Sequence, residues 1–314
     1  PQSPAPVLSI IIVSWNVEAL LRDCLNSVYA GQGELSLQVI IVDSFSADGS
    51  VAMVENEFPQ VELVACQENV GFPRGNNIGL AKANGRFVLL LNPDTVVHGD
   101  ALTTMLGYLE AHPDVGMVGA QLLNEDGSVQ SSRRRFPTMK TAFFESTWLQ
   151  PYAPQALLDD YYVADVDDDE TAVVDWVMGA CMFTRREVVE QVGGMDEDYF
   201  MYSEELDWCR RIKDAGWQVV YLPTAKVTHY MGKSSEQAVV HRHINFNQAK
   251  LRYFRKYHGR FPAFCLRFFL LKTYLWQIGV EGVKGILGHK RPLRKQRIHA
   301  YWQVLKSGLK PAGY

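Results

Sequence analysis

Four short apolar runs set the fold this chain can adopt, because each is followed by a stretch whose apolar side chains return every three or four positions. Val7–Val13 (VLSIIIV) is continuously apolar and β-branched, as expected of a strand covered on both faces. Val17–Tyr29 then places Ala19, Leu20, Cys24, Leu25 and Val28 at helical spacing. The same alternation predicts strands at Val39–Val42, Val61–Ala65 and Phe87–Leu91, and helices over Ser50–Phe58, Arg74–Ala83 and Ala101–His112. Strand and helix in strict turn predict an α/β fold with a mostly parallel central sheet flanked by helices. Such sheets bind ligands outside the carboxyl ends of their strands. Ser14, Trp15 and Asn16 follow the first strand, Asp43 ends the second, and Asn92 and Asp94 follow the fourth. Three strand ends therefore point at one crevice.

Beyond residue 120 the pattern loosens. Arg133–Arg135 and the acidic stretch Asp165–Glu170 read as irregular, the latter as a solvated loop. Val173–Phe183 returns to strand character, Ser203 reads as the N-cap of a helix through Ala215 closed by Gly216, and Val219–Leu222 reads as another strand. From His241 the chain reads as mostly helical, so the expected division is an α/β domain over 1–240 and a helical tail over 241–314.

Charge separates the same two parts. Residues 1–241 hold 15 Lys and Arg against 34 Asp and Glu, whereas 242–314 hold 16 Lys and Arg and a single acid, Glu281. A basic tail on an acidic body calls for an anionic partner. No recognised motif accompanies the basic residues, which argues against nucleic acid. Phe264–Leu275 is strongly apolar but interrupted by Arg267 and Lys272, so an interfacial amphipathic segment on an anionic membrane surface is expected rather than a span. A helical pair packed on the core with solvated basic residues is the other reading. Five cysteines without a CxxC argue against a disulfide framework or structural zinc and fit a reducing compartment. PQSPAP lacks the features of a signal peptide. The expected location is the cytoplasm, peripheral on the inner face of the cell membrane.

Several segments carry chemistry. Asp94, in Asn92-Pro93-Asp94-Thr95, can bind Mg²⁺ or Mn²⁺ that in turn binds diphosphate oxygens, although alone the tetrapeptide is equally a turn. Asp43 precedes the loop Ser44-Phe45-Ser46-Ala47-Asp48-Gly49-Ser50 and can accept bonds from a base or ribose, or cap a helix. Asn69-Val70-Gly71-Phe72-Pro73-Arg74-Gly75-Asn76-Asn77 opens a helix, a setting suited to diphosphate, and is neither GxGxxG nor a P-loop. Glu204, Glu205 and Asp207 crowd three carboxylates into four positions at a helix start. They would repel unless one serves as a base or is neutralised by Arg210 or Arg211. His229 follows a strand, and a lone histidine there is commonly structural.

Taken together, VSWN, VDSFSADGS, NVGFPRGNN, LLLNPDT, GACMFTRR, FMYSEELDWCRRIKDAGW and VTHYMGKSS stand in the order seen in family 2 glycosyltransferases, and the chain resembles the bacterial rhamnosyltransferase branch of that family over roughly residues 7–240. The resemblance implies a GT-A catalytic domain over 1–240, with about 1–120 binding nucleotide and 121–240 acceptor, and single-displacement inversion at the anomeric carbon. It implies donor contacts from Ser14, Trp15, Asn16, Asp43, Ser46, Asn69, Gly71, Arg74, Asn77, Asn92 and Asp94. It further implies a Mg²⁺ or Mn²⁺ site at Asp94 and His229, and Glu205 as base with Asp207 and Glu204 in reserve. Asn92 stands at the first Asp of the family's DxD motif, Ser44 where Asn is usual, and Glu205 where Asp is usual. The expected partners are a dTDP- or UDP-sugar donor and a glycan or lipid-linked glycan acceptor. Nucleotidyl transfer and a catalytically inactive carbohydrate-binding subunit are the alternatives.

Overall fold

The computed structural model describes residues 5–230, 239–288 and 290–310. The Met231–Ser235 end of the last motif lies outside them. The first half follows the expected alternation: β1 (Leu8–Ser14), α1 (Glu18–Ala30), β2 (Leu37–Asp43), α2 (Ser50–Glu57), β3 (Glu62–Ala65), α3 (Gly71–Lys82) and β4 (Phe87–Leu91). These strands pair in parallel in the order β3-β2-β1-β4. β1 and β4 are buried along their whole length, which is why they read as unbroken apolar runs. α1 turns Leu21, Cys24, Leu25 and Val28 inward, where they join Ile10, Ile12, Leu89 and Leu91 in the main core.

The second half supplies β5 (Thr95–Val97), α4 (Ala101–Ala111), β6 (Val115–Leu123), β7 (Val129–Gln130), β8 (Arg133–Arg134), α5 (Met139–Phe144) and α6 (Gln155–Tyr162). It continues through β9 (Ala172–Val174), β10 (Trp176–Val177), β11 (Cys181–Arg185), α7 (Arg186–Val192), α8 (Glu204–Asp214) and β12 (Gln218–His229). The complete sheet order is β3-β2-β1-β4-β11-β6-β12-β5, with β7 on β6 and β9 on β12. β11 runs antiparallel between β4 and β6, so the sheet is mixed.

Two local expectations need correction. The single strand over Val173–Phe183 is three strands: β10 leaves the main sheet to pair with β8, and Asp175 between β9 and β10 accepts from the Phe136 N–H (2.8 Å) and Lys213 Nζ (2.5 Å). β6 was not anticipated. Its glycines dilute the strand signal, and Gly119 is required sterically, since a β-carbon there would lie 2.6 Å from Val177 Cβ. The acidic stretch is partly paired, with Arg133 on Asp168 and Arg135 on Asp165, both at 2.8 Å.

By its internal contacts the chain divides into two compact units, one of Pro1–Phe136, Asp159–Glu197 and Glu204–Ser234, the other of Pro137–Leu158, Asp198–Ser203 and Ser235–Tyr314. The second contains α9 (Val239–His258), α10 (Arg260–Ile286) and α11 (Arg291–Ser307). Leu266, Leu270 and Tyr274 of α10 are buried, Tyr274 Oη accepts from Asn247 Nδ2 (2.9 Å), and Arg294 pairs with buried Glu281 (2.7 Å). The opposite side of α10 exposes Phe261, Phe264, Phe268, Leu275 and Trp276. Among the described residues no helix is long and apolar enough to cross a membrane.

Candidate active site

β4 cannot simply run on past Leu91, because Pro93 removes an N–H from the ladder. Asn92 N–H bonds instead to the Ala180 carbonyl (2.9 Å), and Thr95 Oγ1 donates to the Asn92 carbonyl (2.7 Å), forming a fixed turn. The chain re-enters the sheet as β5, antiparallel to β12, with Thr95 opposite His229. Tyr230 N–H then reaches the Asp94 carbonyl (2.9 Å). This pairing brings Asp94 Oδ1 to 3.4 Å from His229 Nε2, with both side chains under a tenth exposed. Asn92 Nδ2 lies 3.4 Å from the same nitrogen, while buried Asn92 Oδ1 has no partner among the described residues. The other ring nitrogen, Nδ1, lies 2.8 Å from Gln130 Oε1.

A carboxylate oxygen and an imidazole nitrogen are donors that fit Mg²⁺ or Mn²⁺. Among the described residues no three or more His, Cys, Asp or Glu gather as a metal cage. The protein side of such a site is therefore incomplete by itself, as is usual for Mg²⁺ that also takes waters and substrate phosphates.

The ends of β1 and β2 form a second cluster. Ser14 and Asp43 are register partners on adjacent strands, both buried, and Ser14 Oγ and Asp43 Oδ1 lack partners among the described residues. Buried polar atoms left unbonded call for an explanation, and a ligand is one. The loops around them are knit together: Ser46 N–H bonds Asp43 Oδ2 (2.8 Å), Asn16 N–H bonds Ser46 Oγ (2.9 Å), and Ala47 N–H bonds Asn16 Oδ1 (2.7 Å). Asn16 takes a left-handed φ of 52°, which asparagine tolerates. Trp15 is half-buried beside it. Phe45, absent from the sequence-based candidates, sits at φ 66° with 58% of its surface exposed at the rim of this cluster.

The Asn69–Asn77 loop serves several ends. Ser44 Oγ donates to Asn69 Oδ1 (3.1 Å) and accepts from Val70 N–H (2.9 Å), while Asn69 Oδ1 also takes the Gly71 N–H (3.0 Å). Gly71 has φ 74°, a conformation glycine adopts without cost. Arg74 forms an exposed pair with Glu68. Asn77 points elsewhere: its amide bonds the N–H and carbonyl of Met195 and Glu197 Oε1, each at 2.8 Å, and thereby braces the segment that precedes the carboxylate cluster.

That cluster opens α8. Ser203, expected as an extended N-cap, has φ 61° and follows Tyr202 at φ 74°, so the helix is entered through two left-handed residues. Glu204 is almost fully buried, and Oε2 of both Glu204 and Glu205 is buried with no partner among the described residues. Burial pushes the Glu205 carboxyl up to about 7. Burial, then repulsion from Glu205, raises Glu204 well above the usual carboxylate range. Asp207 is fully buried and paired with Arg211 (3.0 Å), whose remaining N–H groups bond the carbonyls of Val192 and Gly194 (2.6 Å each). Of the three acids only Glu205 keeps partial exposure. It lies against Gly179, where a β-carbon would stand 3.5 Å from Glu205 Cβ and 3.7 Å from the Phe72 ring. Ala180, the next residue, holds Asn92 N–H, so one short backbone segment joins the carboxylate pair to the β4 end.

Residues 4–244 match the family described as Glycosyltransferase like family 2. Similar sequences include the N-acetylglucosaminyl-diphospho-decaprenol L-rhamnosyltransferase of Mycobacterium tuberculosis, 28% identical over 240 residues that cover 73% of this chain and 78% of that protein. The rhamnosyltransferase WbbL of Escherichia coli is 30% identical over 168 residues, covering 51% of this chain and 61% of that one. Among solved structures, the mannosyltransferase PcManGT of Pyrobaculum calidifontis with GDP-Man and Mn²⁺ is similar at TM-score 0.55 and 17% identity, over 97% of this chain and 75% of that one. GalNAc-T7 with UDP, GalNAc and Mn²⁺ is similar at TM-score 0.58 and 14% identity, over 80% of this chain and about half (48%) of that one.

Proposed function

The chain belongs to glycosyltransferase family 2, and from that premise we propose that it transfers L-rhamnose, or a sugar much like it, from a dTDP- or UDP-sugar to a hydroxyl of a cell-surface or lipid-linked glycan, with inversion. Its fold is GT-A, as in its structural neighbours. Two relatives are named for rhamnosyl transfer, and the diphospho-decaprenol in one of those names supports a lipid-linked acceptor. The observation that carries the chemistry is the approach of Asp94 to His229 at the end of β4, one short segment away from Glu205, a partly exposed residue whose carboxyl has a raised pKa.

Asp94 and His229, with Asn92 beside them, would hold the divalent cation. When bound, that cation neutralises charge on the departing diphosphate. Ser14 and Asp43 offer their unpartnered polar atoms to the nucleoside. Glu205, ionised, takes the proton of the acceptor hydroxyl as its oxygen bonds to the anomeric carbon. The carbon–oxygen bond to the diphosphate breaks, and its electron pair leaves with the nucleoside diphosphate. A thermal-shift screen of nucleotide sugars with Mn²⁺ or Mg²⁺, followed by product analysis, tests this. Selective stabilisation by one donor and release of nucleoside diphosphate are expected. Release of pyrophosphate would instead establish nucleotidyl transfer, and no response to any donor would favour an inactive carbohydrate-binding subunit.

The basic second unit is assigned to an anionic membrane surface. Phe261, Phe264, Phe268 and Leu275 step by three, four and seven residues along α10, an exposed apolar stripe within a strongly cationic segment. Charge reversal at Lys295 and Arg297 together with Phe264→Ser and Phe268→Ser is expected to release the protein from anionic liposomes in a sedimentation assay while leaving donor-induced stabilisation intact. Unchanged sedimentation would remove the membrane assignment.

A further inference from the structure

The hydrogen bonds behind His229 have a polarity that can be followed from the surface inward. At the outer end the Asp126 carboxylate accepts from Ser128 N–H (3.0 Å) and Ser128 Oγ (2.5 Å). These bonds hold the Asp126 carboxyl below its ordinary range, so it is ionised and only accepts. Ser128 Oγ has one proton, given to Asp126, and therefore accepts from Asn124 Nδ2 (3.0 Å). This orients the Asn124 amide, whose Oδ1 accepts from Gln130 Nε2 (3.0 Å). Gln130 Nε2 also faces the His229 carbonyl (3.3 Å), which leaves Gln130 Oε1 toward His229 Nδ1 (2.8 Å). An amide oxygen can only accept, so Nδ1 carries the hydrogen. With its hydrogen on Nδ1, the ring in this tautomer presents the Nε2 lone pair between Asp94 Oδ1 and Asn92 Nδ2, each at 3.4 Å. A cation placed there would take the Nε2 lone pair and the Asp94 oxygen together.

Backbone pairing fixes both ends of this relay. The β6–β7 register sets Leu122 opposite Gln130, and the β12–β6 register sets Thr228 opposite Leu123. The turn between β6 and β7 is closed by Asn124 N–H to the Ser128 carbonyl (2.8 Å) and passes through Gly127 at φ 80°, a conformation that favours glycine.

We infer that Gln130, oriented by the Asn124–Ser128–Asp126 turn, is a positioning residue that holds His229 in its Nδ1–H tautomer and so presents Nε2 as a cation ligand beside Asp94. This rests on the cation site proposed above. Partners behind a ligating histidine fix its tautomer and ring orientation, and losing one weakens metal binding by about 10–100-fold.

The tautomer can be read directly in the full-length, metal-free protein labelled with ¹⁵N-histidine, by long-range ¹H–¹⁵N correlation, with His229 assigned from its loss in His229→Gln. The wild type is expected to show Nδ1 protonated and Nε2 bare. Gln130→Leu is expected to lose that single pattern and to bind Mn²⁺ about 10–100-fold more weakly by calorimetry. Asn124→Asp, which keeps the acceptor for Gln130 Nε2 and so leaves Gln130 Oε1 toward Nδ1, is expected to retain the pattern and bind Mn²⁺ within a few-fold of wild type. An Nε2–H tautomer in the wild type overturns the inference without touching Asp94-dependent Mn²⁺ binding, and so does a folded Gln130→Leu that binds Mn²⁺ like wild type. A wild type that binds no Mn²⁺ overturns the cation site, and the ligand role of Nε2 with it.

Discussion

Asp94→Ala is expected to abolish the dependence of donor binding on a divalent cation and to lower kcat/KM by about a thousandfold or more, the scale of several kcal/mol of charge stabilisation. In the proposed site Asp94 would supply the anionic oxygen, a charge that the His229 imidazole would not replace. The turn itself should survive the substitution. It is held by Thr95 Oγ1 on the Asn92 carbonyl, by Asn92 N–H on the Ala180 carbonyl, and by Tyr230 N–H on the Asp94 backbone. None of these bonds uses the carboxylate, so the melting temperature should change little. Calorimetry of the nucleotide sugar with Mn²⁺ and with chelator separates the two contributions. Equal metal dependence in wild type and variant would remove Asp94 as the ligand.

Much of this arrangement is written in local sequence, and some is not. β1 and β4 are legible because a strand buried on both faces has no polar positions to blur it. The acidic and polar residues at their ends are legible for the same reason, since they interrupt an apolar run. β6 escapes because Gly116 and Gly119 answer to neighbours distant in sequence, Trp217 and Val177. The break of Val173–Phe183 into three strands likewise depends on partners, β12 and β8, that no window of sequence contains. Asn77 looks like part of a phosphate loop, yet its amide is occupied by Met195, 118 positions away. Gln130 could not be singled out at all. The Asp126-Gly127 pair does mark a hairpin turn, but the meeting of Gln130 with His229 follows only once β7, β6 and β12 are laid side by side.

The resemblance to a family and the geometry contribute different things to the carboxylate cluster. Spacing alone leaves Glu204, Glu205 and Asp207 equivalent, since all three fall in the first turn of α8. Burial separates them. Asp207 is closed off and neutralised by Arg211, in the manner of an ion pair that ties a helix to the loop before it. Removing one partner of a buried pair costs about 3–5 kcal/mol, which gives this residue a stability role whatever the chemistry. Glu204 is sealed, and of the two glutamates with raised pKa only Glu205 is partly exposed as a residue.

Glu205→Gln should therefore lose turnover and gain stability together. Loss of a general base lowers kcat by about 10²–10⁴-fold, with donor binding retained. The sign of the stability change follows from the direction in which burial moves the carboxyl. Burial raises its folded-state pKa from 4.5 to about 7, so the folded state resists ionisation more than the unfolded chain does. Wild-type stability from this group is complete below about pH 4.5 and is lost as pH rises through about 7, whereas glutamine carries no charge at any pH. The variant should melt close to wild type near pH 5 and higher at pH 8. The difference there should reach at most roughly 3–4 kcal/mol, since each tenfold change in proton affinity corresponds to about 1.4 kcal/mol, or several degrees in melting temperature. Wild-type kcat should rise over the same interval as the base ionises. Turnover within a few-fold of wild type would transfer the base role to Glu204, and a variant that melts below wild type at pH 8 would mean that the Glu205 carboxylate is compensated inside the fold.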